Sequence, residues 1–437
     1  MNQINTLILT RSIVSAGFAS VMVASEHYLF ELTGKSAGRT KRITSYISTL
    51  SSAQSLTVNA LSGYLIDVYG RKPVLVVSCI LSGFARALPV LYPRVWVYVA
   101  YRLLNGAASA SIMTAISAMF SDMLGGRSTE RYQSTLQLRF LVMAFVRMIV
   151  LRVAGRSKNL KYNFIAGSAL PVIAGLCFAL FTKETRYVCS EENEKNDLVP
   201  TCRPSSSTLN PFHFIQYFSR NVSLRCVAMM LAFQYVPMYN LTESVRRKER
   251  FDWTLKDSEM MMQVANVCEV LRPWIYKRLA ILYGLVVVDA GENENEEEET
   301  TDSKWKRLCE PYRKCIIWDF RIRFMTNLIQ VLTPIKSALY FTPAMSMLFG
   351  ISNIPERCLD LIPPQQGGSS NVVVGEGAKI AALQNLPVPL GLIMPFLFDT
   401  MSVRFGSNTP LMFCALFQLL GSEVLVPYCW RKMMVVK

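Results

Sequence analysis

The stretch "LSGYLIDVYGRKPVLVV", Leu61 to Val77, places one acid, two bases and two glycines between two apolar segments. Its charged residues are Asp67, Arg71 and Lys72. Charged side chains are costly inside a bilayer, so such a cluster is typical of a short loop where two membrane helices reach water. Gly70 would allow the chain to turn tightly there, because glycine readily adopts positive φ. The stretch therefore predicts two membrane-spanning helices joined by a charged turn.

The composition of the chain supports a membrane protein. Of 437 residues, 51% are hydrophobic and 18% are charged, and the mean hydropathy is +0.27. These values lie on the apolar side of an ordinary globular protein. The only histidines are His27 and His213, so histidine metal sites and histidine-dependent catalysis have almost no ligands or bases to use. We expect neither an enzyme nor a bound metal or cofactor.

The strongly basic balance is explained by loops and not by nucleic acid. The net charge is +15, from 46 basic and 31 acidic residues. A nucleic-acid-binding protein gathers such charge into one patch, whereas here the basic residues are spread singly between apolar runs. Short basic loops are typical of a polytopic membrane protein. The expected partner is therefore the lipid bilayer.

Apolar runs long enough to cross a bilayer recur along the chain. A spanning helix needs about 20 mostly apolar residues. Two weaker runs carry several charges, Leu136–Ala154 and Met260–Val288, and the region 316–332 is also charged. Nine runs are clear: Leu7–Leu29, Thr44–Ile66, Pro73–Leu91, Val95–Phe120, Phe164–Phe181, Leu224–Leu241, Thr333–Phe349, Ile380–Phe398 and Leu411–Tyr428. The pattern predicts an all-α, multi-pass integral membrane protein.

Two polar interruptions organise the chain. Residues 183–221 combine charges, prolines and a serine run, which is typical of a flexible linker; the linker ends in an amphipathic segment suited to a membrane surface. Residues 291–304 form an acidic run expected to be a solvated loop. The predicted organisation is a first helical bundle at 1–182, the linker, and a second bundle at 222–437.

The opening stretch resembles the signature loop of the major facilitator superfamily, which follows the pattern G-x-L-x-D-R/K-x-G-R-R/K. Val68 stands where the family usually has a base. The matching residues are Gly63, Leu65, Asp67, Gly70, Arg71 and Lys72. The span, tight turn and second span around them also follow the family's order.

Further resemblances follow along the chain. "YRLLNGAAS" is similar to the fourth-helix motif R-x-x-Q-G through Arg102 and Gly106, with Asn105 in place of Gln. Asp122 and Arg131 have the spacing of the family's D-x(8)-R loop. "LFTKETR" resembles the ending of the sixth helix, and segments of the second half resemble the tetracycline-efflux-like branch.

The resemblance implies a fold of two six-helix bundles, about twelve transmembrane helices in all, working as a monomer. It also implies secondary transport of a small organic solute by alternating access, as proton-coupled efflux. In that mechanism the Asp67/Arg71 loop and the Asp122/Arg131 loop form part of a cytoplasmic gate. An alternative interpretation is that these charges merely anchor loops at the interface.

Candidates for coupling and for contacts with the substrate follow from intramembrane polar residues. Arg102 is implicated by the resemblance, although it could instead extend to the nearby interface. Glu26 is the best acidic candidate for carrying a proton, unless it faces water. Gln234 and Tyr235 could contact a substrate, and packing roles are equally compatible with their positions.

The fifth-helix stretch "MAFVRMIVLRVAGR" departs from the glycine-rich motif of antiporters, because Arg147 and Arg152 intrude. Two alternatives to proton antiport therefore stay open. One is a transporter-derived membrane receptor or scaffold that moves no substrate. The other is a facilitator that works without protons.

Overall fold

The computed structural model describes residues 3–124, 130–154, 159–185, 212, 215, 218–219, 222–236, 242–282, 301–337, 339–342 and 383–435. Throughout these residues the regular structure is helical. Six helices form the first half: α1 (Gln3–Leu32), α2 (Ala37–Tyr69), α3 (Arg71–Leu91), α4 (Val95–Leu124), α5 (Glu130–Ala154) and α6 (Leu160–Phe181).

The helices that the structure describes in the second half are α7 (Val222–Tyr235), α8 (Thr242–Phe251), α9 (Leu255–Leu282), α10 (Thr301–Leu332), α11 (Val388–Phe405), α12 (Thr409–Leu420) and α13 (Val426–Val435). A π-helical turn, Gly421–Leu425, joins α12 to α13, so these two helices make one long rod. Ser36 and Asn159 cap the starts of α2 and α6 by accepting backbone N–H groups, as small polar residues commonly do at helix N-termini.

The charged runs predicted as weak spans are helical where the structure describes them. The region of Met260–Val288 that carries several charges lies mainly in one continuous helix, α9. The weak run Leu136–Ala154 lies in α5. The helix α10 begins at Thr301, inside the segment 291–304 that we expected to be a loop. Most of that segment, most of the linker 183–221 and much of the predicted span Thr333–Phe349 lie outside the described residues.

Six of the described helices are long and apolar enough to cross a membrane: Gln3–Leu32, Arg71–Leu91, Val95–Phe120, Leu160–Phe181, Leu383–Phe405 and Thr409–Met433. The helices α2, α5, α9 and α10 have comparable lengths of 33, 25, 28 and 32 residues, but they carry more polar side chains. Polar side chains in membrane helices usually face the protein interior or a water-filled cavity.

Each half of the chain has its own apolar core. The core of the first half joins α1, α2, α3, α4 and α6, with Phe120 and Phe178 fully buried in it. The core of the second half joins α7, α10 and α13 around Phe320 and Trp430. The glycine at position 167 lets α6 pack closely against α1, because a Cβ there would lie 2.1 Å from Val21 Cγ2.

Large apolar side chains also cover the outside of the molecule. Phe84, Ile173 and Ile393 are 58%, 50% and 64% exposed. Apolar patches of this extent are unusual on a protein in water, and a lipid bilayer would cover them. The described helices thus fit a multi-pass membrane protein built from two bundles.

Candidate functional site

The charged turn predicted from the sequence lies between α2 and α3. Gly70 ends α2 and begins α3 with φ +97°, a conformation that residues with a Cβ rarely adopt. A Cβ at this position would also lie 2.8 Å from Glu184 Oε2. Glycine is therefore required here both by the backbone conformation and by the approach of Glu184.

The carboxylate of Glu184 caps the start of α3. Arg71 N donates to Glu184 Oε1 at 3.0 Å, and Lys72 N donates to Oε2 at 2.9 Å. The first N–H groups of a helix have no partner within it, and the helix dipole favours an anion at this end. A negative charge is needed all the more because α3 begins with two basic residues. Glu184 thereby ties the end of α6 to the start of α3.

The Arg71 side chain binds Asp122 at the end of α4. Its Nη2 donates to Asp122 Oδ1 at 3.1 Å, and its Nε forms an ion pair with Oδ2. Both side chains are only 10% exposed, so removing either partner would leave a largely buried charge without its counter-ion. Thr185 Oγ1 donates to the same carboxylate at 3.1 Å. We call Arg71, Asp122, Glu184 and Thr185 the loop cluster; it joins α3, α4 and the segment after α6.

The other predicted gate residues lie on α2, α3 and α5. Gly63 is buried in α2, and Asp67 is half-buried in the last turn of that helix. Lys72 lies in the first turn of α3. Arg131 lies in α5, but its side chain is outside the described residues. The structure thus brings Arg71 and Asp122 together.

Asn105, which stands where the fourth-helix motif has Gln, lies at the centre of a buried polar group. Its Oδ1 accepts from Arg86 Nε at 2.8 Å and from Ser82 Oγ at 3.0 Å. Arg86 is 1% exposed and also donates to the Gly167 carbonyl at 3.0 Å. The guanidinium therefore links α3, α4 and α6 inside the first bundle.

Arg102 and Glu26 lie toward the end of the first bundle opposite the loop cluster. Both side chains are exposed, and they are near enough to interact electrostatically. Lys248 of α8 donates to the Glu26 carbonyl at 3.2 Å. Gly106 lies one turn further along α4, where an added Cβ would be 3.4 Å from Ser51 Oγ of α2. These predicted residues share one region of the molecule but make no direct contact with the loop cluster.

Gln234 and Tyr235 lie within the second bundle. Gln234 is 5% exposed and donates to Asp319 Oδ2 at 2.6 Å. Arg323 Nε donates to the same oxygen at 2.8 Å. Tyr235 packs against the apolar core of this bundle. Gln234 is thus engaged by a buried carboxylate of α10.

The two bundles meet through polar side chains and also through apolar ones, such as the rings of Tyr46 and Phe396, whose centroids lie 5.7 Å apart. Toward the end opposite the loop cluster, His27 Nε2 lies 3.1 Å from Ser258 Oγ. Nearer the loop cluster, Asn59 Nδ2 donates to Asn385 Oδ1 at 2.9 Å, and Thr114 Oγ1 donates to Gln384 Oε1 at 3.0 Å. Each contact joins a helix of the first bundle to the second bundle.

Sequence reasoning did not foresee the roles of Glu184, Arg86 or Asp319. Arg86 gave a signal, because an arginine inside the apolar run Pro73–Leu91 demands a buried partner. Asp319 gave the same signal in the region 316–332. Glu184 stood in a recognised motif, yet its contact with α3 spans 113 positions of the chain and has no local signature.

Solved structures share this arrangement over nearly the whole chain. The crystal structure of the human organic anion transporter MFSD10 superposes with a TM-score of 0.64 at 12% identity, covering 97% of this chain and 98% of that one. The nucleoside transporter NupG gives a TM-score of 0.60 at 13% identity, covering 99% and 100%. At such low identity these similarities establish the fold.

Curated relatives match part of the sequence. Multidrug resistance protein 2 of Bacillus subtilis (strain 168) is 20% identical over 263 residues, which is 56% of this chain and 58% of that protein. The Na(+), Li(+), K(+)/H(+) antiporter of Planococcus maritimus is 26% identical over 140 residues, which is 30% of this chain. The chain thus spans 58% and 32% of the lengths of these relatives.

The family model of the Major Facilitator Superfamily matches residues 6–271, more than half of the chain. This match includes the charged turn, the loop cluster and the first bundle. The chain therefore belongs to the Major Facilitator Superfamily, as a multi-pass integral membrane protein and not an enzyme.

Proposed function

We propose that this protein is a secondary transporter that moves a small organic solute across its membrane by alternating access. The two bundles, 1–182 and 222–437, rock about a central path, and the linker 183–221 joins them. The transporter acts as a monomer, with the loop cluster on the cytoplasmic side.

The observation that carries this proposal is that the two bundles have separate main cores and that single polar contacts are among those that join them. His27 with Ser258 and Asn59 with Asn385 are single hydrogen bonds of 3.1 and 2.9 Å. A neutral hydrogen bond contributes only about 0.5–1.5 kcal/mol net, so such contacts can break and re-form during a transport cycle. A rocking motion can therefore open either end while each bundle keeps its own core.

The contact that would break and re-form during the transport cycle lies in the loop cluster. Arg71 and Asp122 form a largely buried charge pair, which is costly to break unless each partner finds another. Asp67 lies in the last turn of α2, four residues before Arg71, and is the natural second charge in this region. We propose that these residues, with Gly63, Gly70, Lys72 and Arg131, form the cytoplasmic gate.

We further propose proton-coupled export of the solute, within the tetracycline-efflux-like branch of the family. The resemblance of the sequence motifs to that branch supports proton-coupled export. So do the likenesses to proteins named as a multidrug resistance protein and as a cation/H(+) antiporter. Glu26 beside Arg102 is the proposed proton-carrying pair.

A receptor or scaffold that does not transport is the second candidate. The observation in its favour is an ion pair between α5 and α9, Arg147 with Glu269. This pair crosses from one bundle to the other and opposes their separation. A facilitator that works without protons is a third possibility, which needs no titrating Glu26.

Flux into proteoliposomes separates these functions. The purified protein is reconstituted, and uptake of ethidium, 2-naphthoate and uridine is followed with and without an imposed pH gradient. Proton-coupled transport predicts flux of at least one probe that depends on the gradient. Flux that ignores the gradient would support the facilitator, and no flux of any probe would support the scaffold.

The gate is tested in the same vesicles. We expect Asp67→Asn and Asp122→Asn to abolish the flux while the amount of protein in the membrane stays at the wild-type level. Glu31→Gln, at the exposed end of α1, is the matched control. Unchanged flux in both aspartate variants would refute the gate.

A further inference from the structure

An ion pair joins the two bundles well inside the helices. Arg147 of α5 faces Glu269 of α9, with 3.0 Å between Nη1 and Oε2 and 3.3 Å between Nη2 and Oε1. The side chains are 12% and 8% exposed. Two parallel contacts of this kind are the strong geometry for an arginine and a carboxylate. The guanidinium is therefore shaped and placed to hold a carboxylate.

Positive charge exceeds negative charge around this pair. Arg11 of α1 is within electrostatic range of both Arg139 and Arg147. The next acid along α1, Glu26, is 15 residues from Arg11, about 22 Å along the helix axis. Glu259 of α9 is 10 residues from Glu269, about 15 Å away by the same rise, and Asp122 of α4 is bound to Arg71.

Among the described side chains, Arg11 thus interacts electrostatically with Arg139 and Arg147, and Glu269 is the carboxylate paired with Arg147. A proton added to Glu269 would leave the cationic excess larger. An anion would reduce it. The charge balance therefore favours an anionic ligand over a proton at this place.

A buried amide lies beside the pair. Asn266 of α9 is 1% exposed, and neither its Nδ2 nor its Oδ1 has a hydrogen-bond partner. Because Asn266 precedes Glu269 by three residues, the two side chains lie on the same face of the helix. Buried amides without partners are rare, since leaving them unsatisfied costs stability. A ligand with polar atoms would satisfy this amide.

We propose that Arg147, with Arg11, Arg139 and Asn266, binds the carboxylate of an organic anion, which is the transported solute. This inference rests on the transport function proposed above and specifies its substrate class. When no solute is bound, Glu269 forms the ion pair with Arg147. The incoming carboxylate takes its place, so the contact between α5 and α9 breaks only when solute is bound. A ligand that binds the separated state better shifts the equilibrium toward it.

Binding to the full-length protein in nanodiscs tests the inference without requiring transport. The probes are benzoate, 2-naphthoate and indole-3-acetate, each compared with its uncharged amide. We expect at least one carboxylate to raise the thermal unfolding temperature and to bind measurably by calorimetry, while its amide does neither. The inference is wrong if no carboxylate stabilises the protein more than its amide does.

Two variants distinguish a binding role from a structural one. Arg147→Gln should abolish carboxylate binding, and Glu269→Gln should tighten it by about fivefold or more, because the internal competitor is gone. Arg321→Gln, in an exposed ion pair with Glu423, is the matched control and should bind like wild type. A purely structural pair would instead weaken binding in both variants.

The transport proposal and the anion site can fail independently of each other. Carboxylate binding without flux in proteoliposomes would refute the transport proposal while leaving the anion site established. Flux of ethidium or uridine without carboxylate binding would support the transport proposal and refute the anion site.

Discussion

The cap that Glu184 places on α3 leads to a quantitative prediction for Glu184→Gln. The carboxylate accepts from Arg71 N and Lys72 N at 3.0 and 2.9 Å. Glutamine has nearly the same shape but keeps one acceptor oxygen, so its NH₂ group must face one of these donors. We expect one N–H to lose its partner.

The magnitude follows from two losses. An unsatisfied buried donor costs about 1–3 kcal/mol, and losing the negative charge at a helix N-terminus costs a further ~0.3–1 kcal/mol. The first turn of α3 should therefore open more readily by about 1.3–4 kcal/mol. Each 1.4 kcal/mol is a factor of ten in an equilibrium constant, so opening should increase roughly tenfold to several hundredfold by the same conversion.

Hydrogen exchange in nanodiscs measures this opening directly. Peptides covering Arg71 and Lys72 should exchange faster by that factor in Glu184→Gln, whereas peptides from the middle of α3 should be unchanged. Glu31→Gln, an exposed carboxylate on α1, should leave the exchange at Arg71 unaffected. Wild-type exchange at these amides in the Glu184 variant would refute the proposed cap.

Three further perturbations test other contacts. Gly70→Ala should lower the thermal unfolding temperature, because it strains a backbone with φ +97° by about 1–3 kcal/mol, whereas Gly38→Ala, where an added Cβ meets nothing within 4 Å, should not. Arg86→Met should lower that temperature, since it removes the donor to the Asn105 side chain and the Gly167 carbonyl, and a buried acceptor left unsatisfied costs about 1–3 kcal/mol; an unchanged value would show that its bonds contribute little. Asn59→Ala and Asn385→Ala should each destabilise the protein, the second more because Asn385 Nδ2 also donates to the Leu56 carbonyl at 3.2 Å, and the losses should not add in the double variant, with a coupling of about 0.5–3 kcal/mol; full additivity would mean that the two side chains do not interact.

Much of the fold could be predicted from the sequence, because the bilayer imposes a simple rule on apolar runs. The turn at Gly70 was evident from its charges and its glycine. The extents of α9 and α10 were less evident, since hydropathy underestimates helices whose charged side chains find partners within the protein. Arg323 pairs with Asp319 in this way, so a stretch that looked too polar to span is a regular helix.

The candidate site could be predicted only in part, because its contacts join helices that are distant in the sequence. Arg71 and Asp122 belong to recognisable motifs, but their mutual contact depends on how α3 and α4 pack. Arg147 was visible as a departure from the fifth-helix motif, whereas its partner Glu269 lies 122 positions later. Side chains that meet across two bundles leave no periodic pattern in either segment.

If the bundles rock as proposed, the two ends of the molecule open in turn, and distances between spin labels measure this motion. Labels attached through ketone-bearing residues avoid the 11 native cysteines. One pair replaces Tyr69 and Arg431, near the loop-cluster end; the other replaces Tyr92 and Lys256, near the opposite end. Alternating access predicts two populations in which a longer distance at one end accompanies a shorter distance at the other. A single distance at both ends, unchanged by pH and by the carboxylate probes, would contradict alternating access.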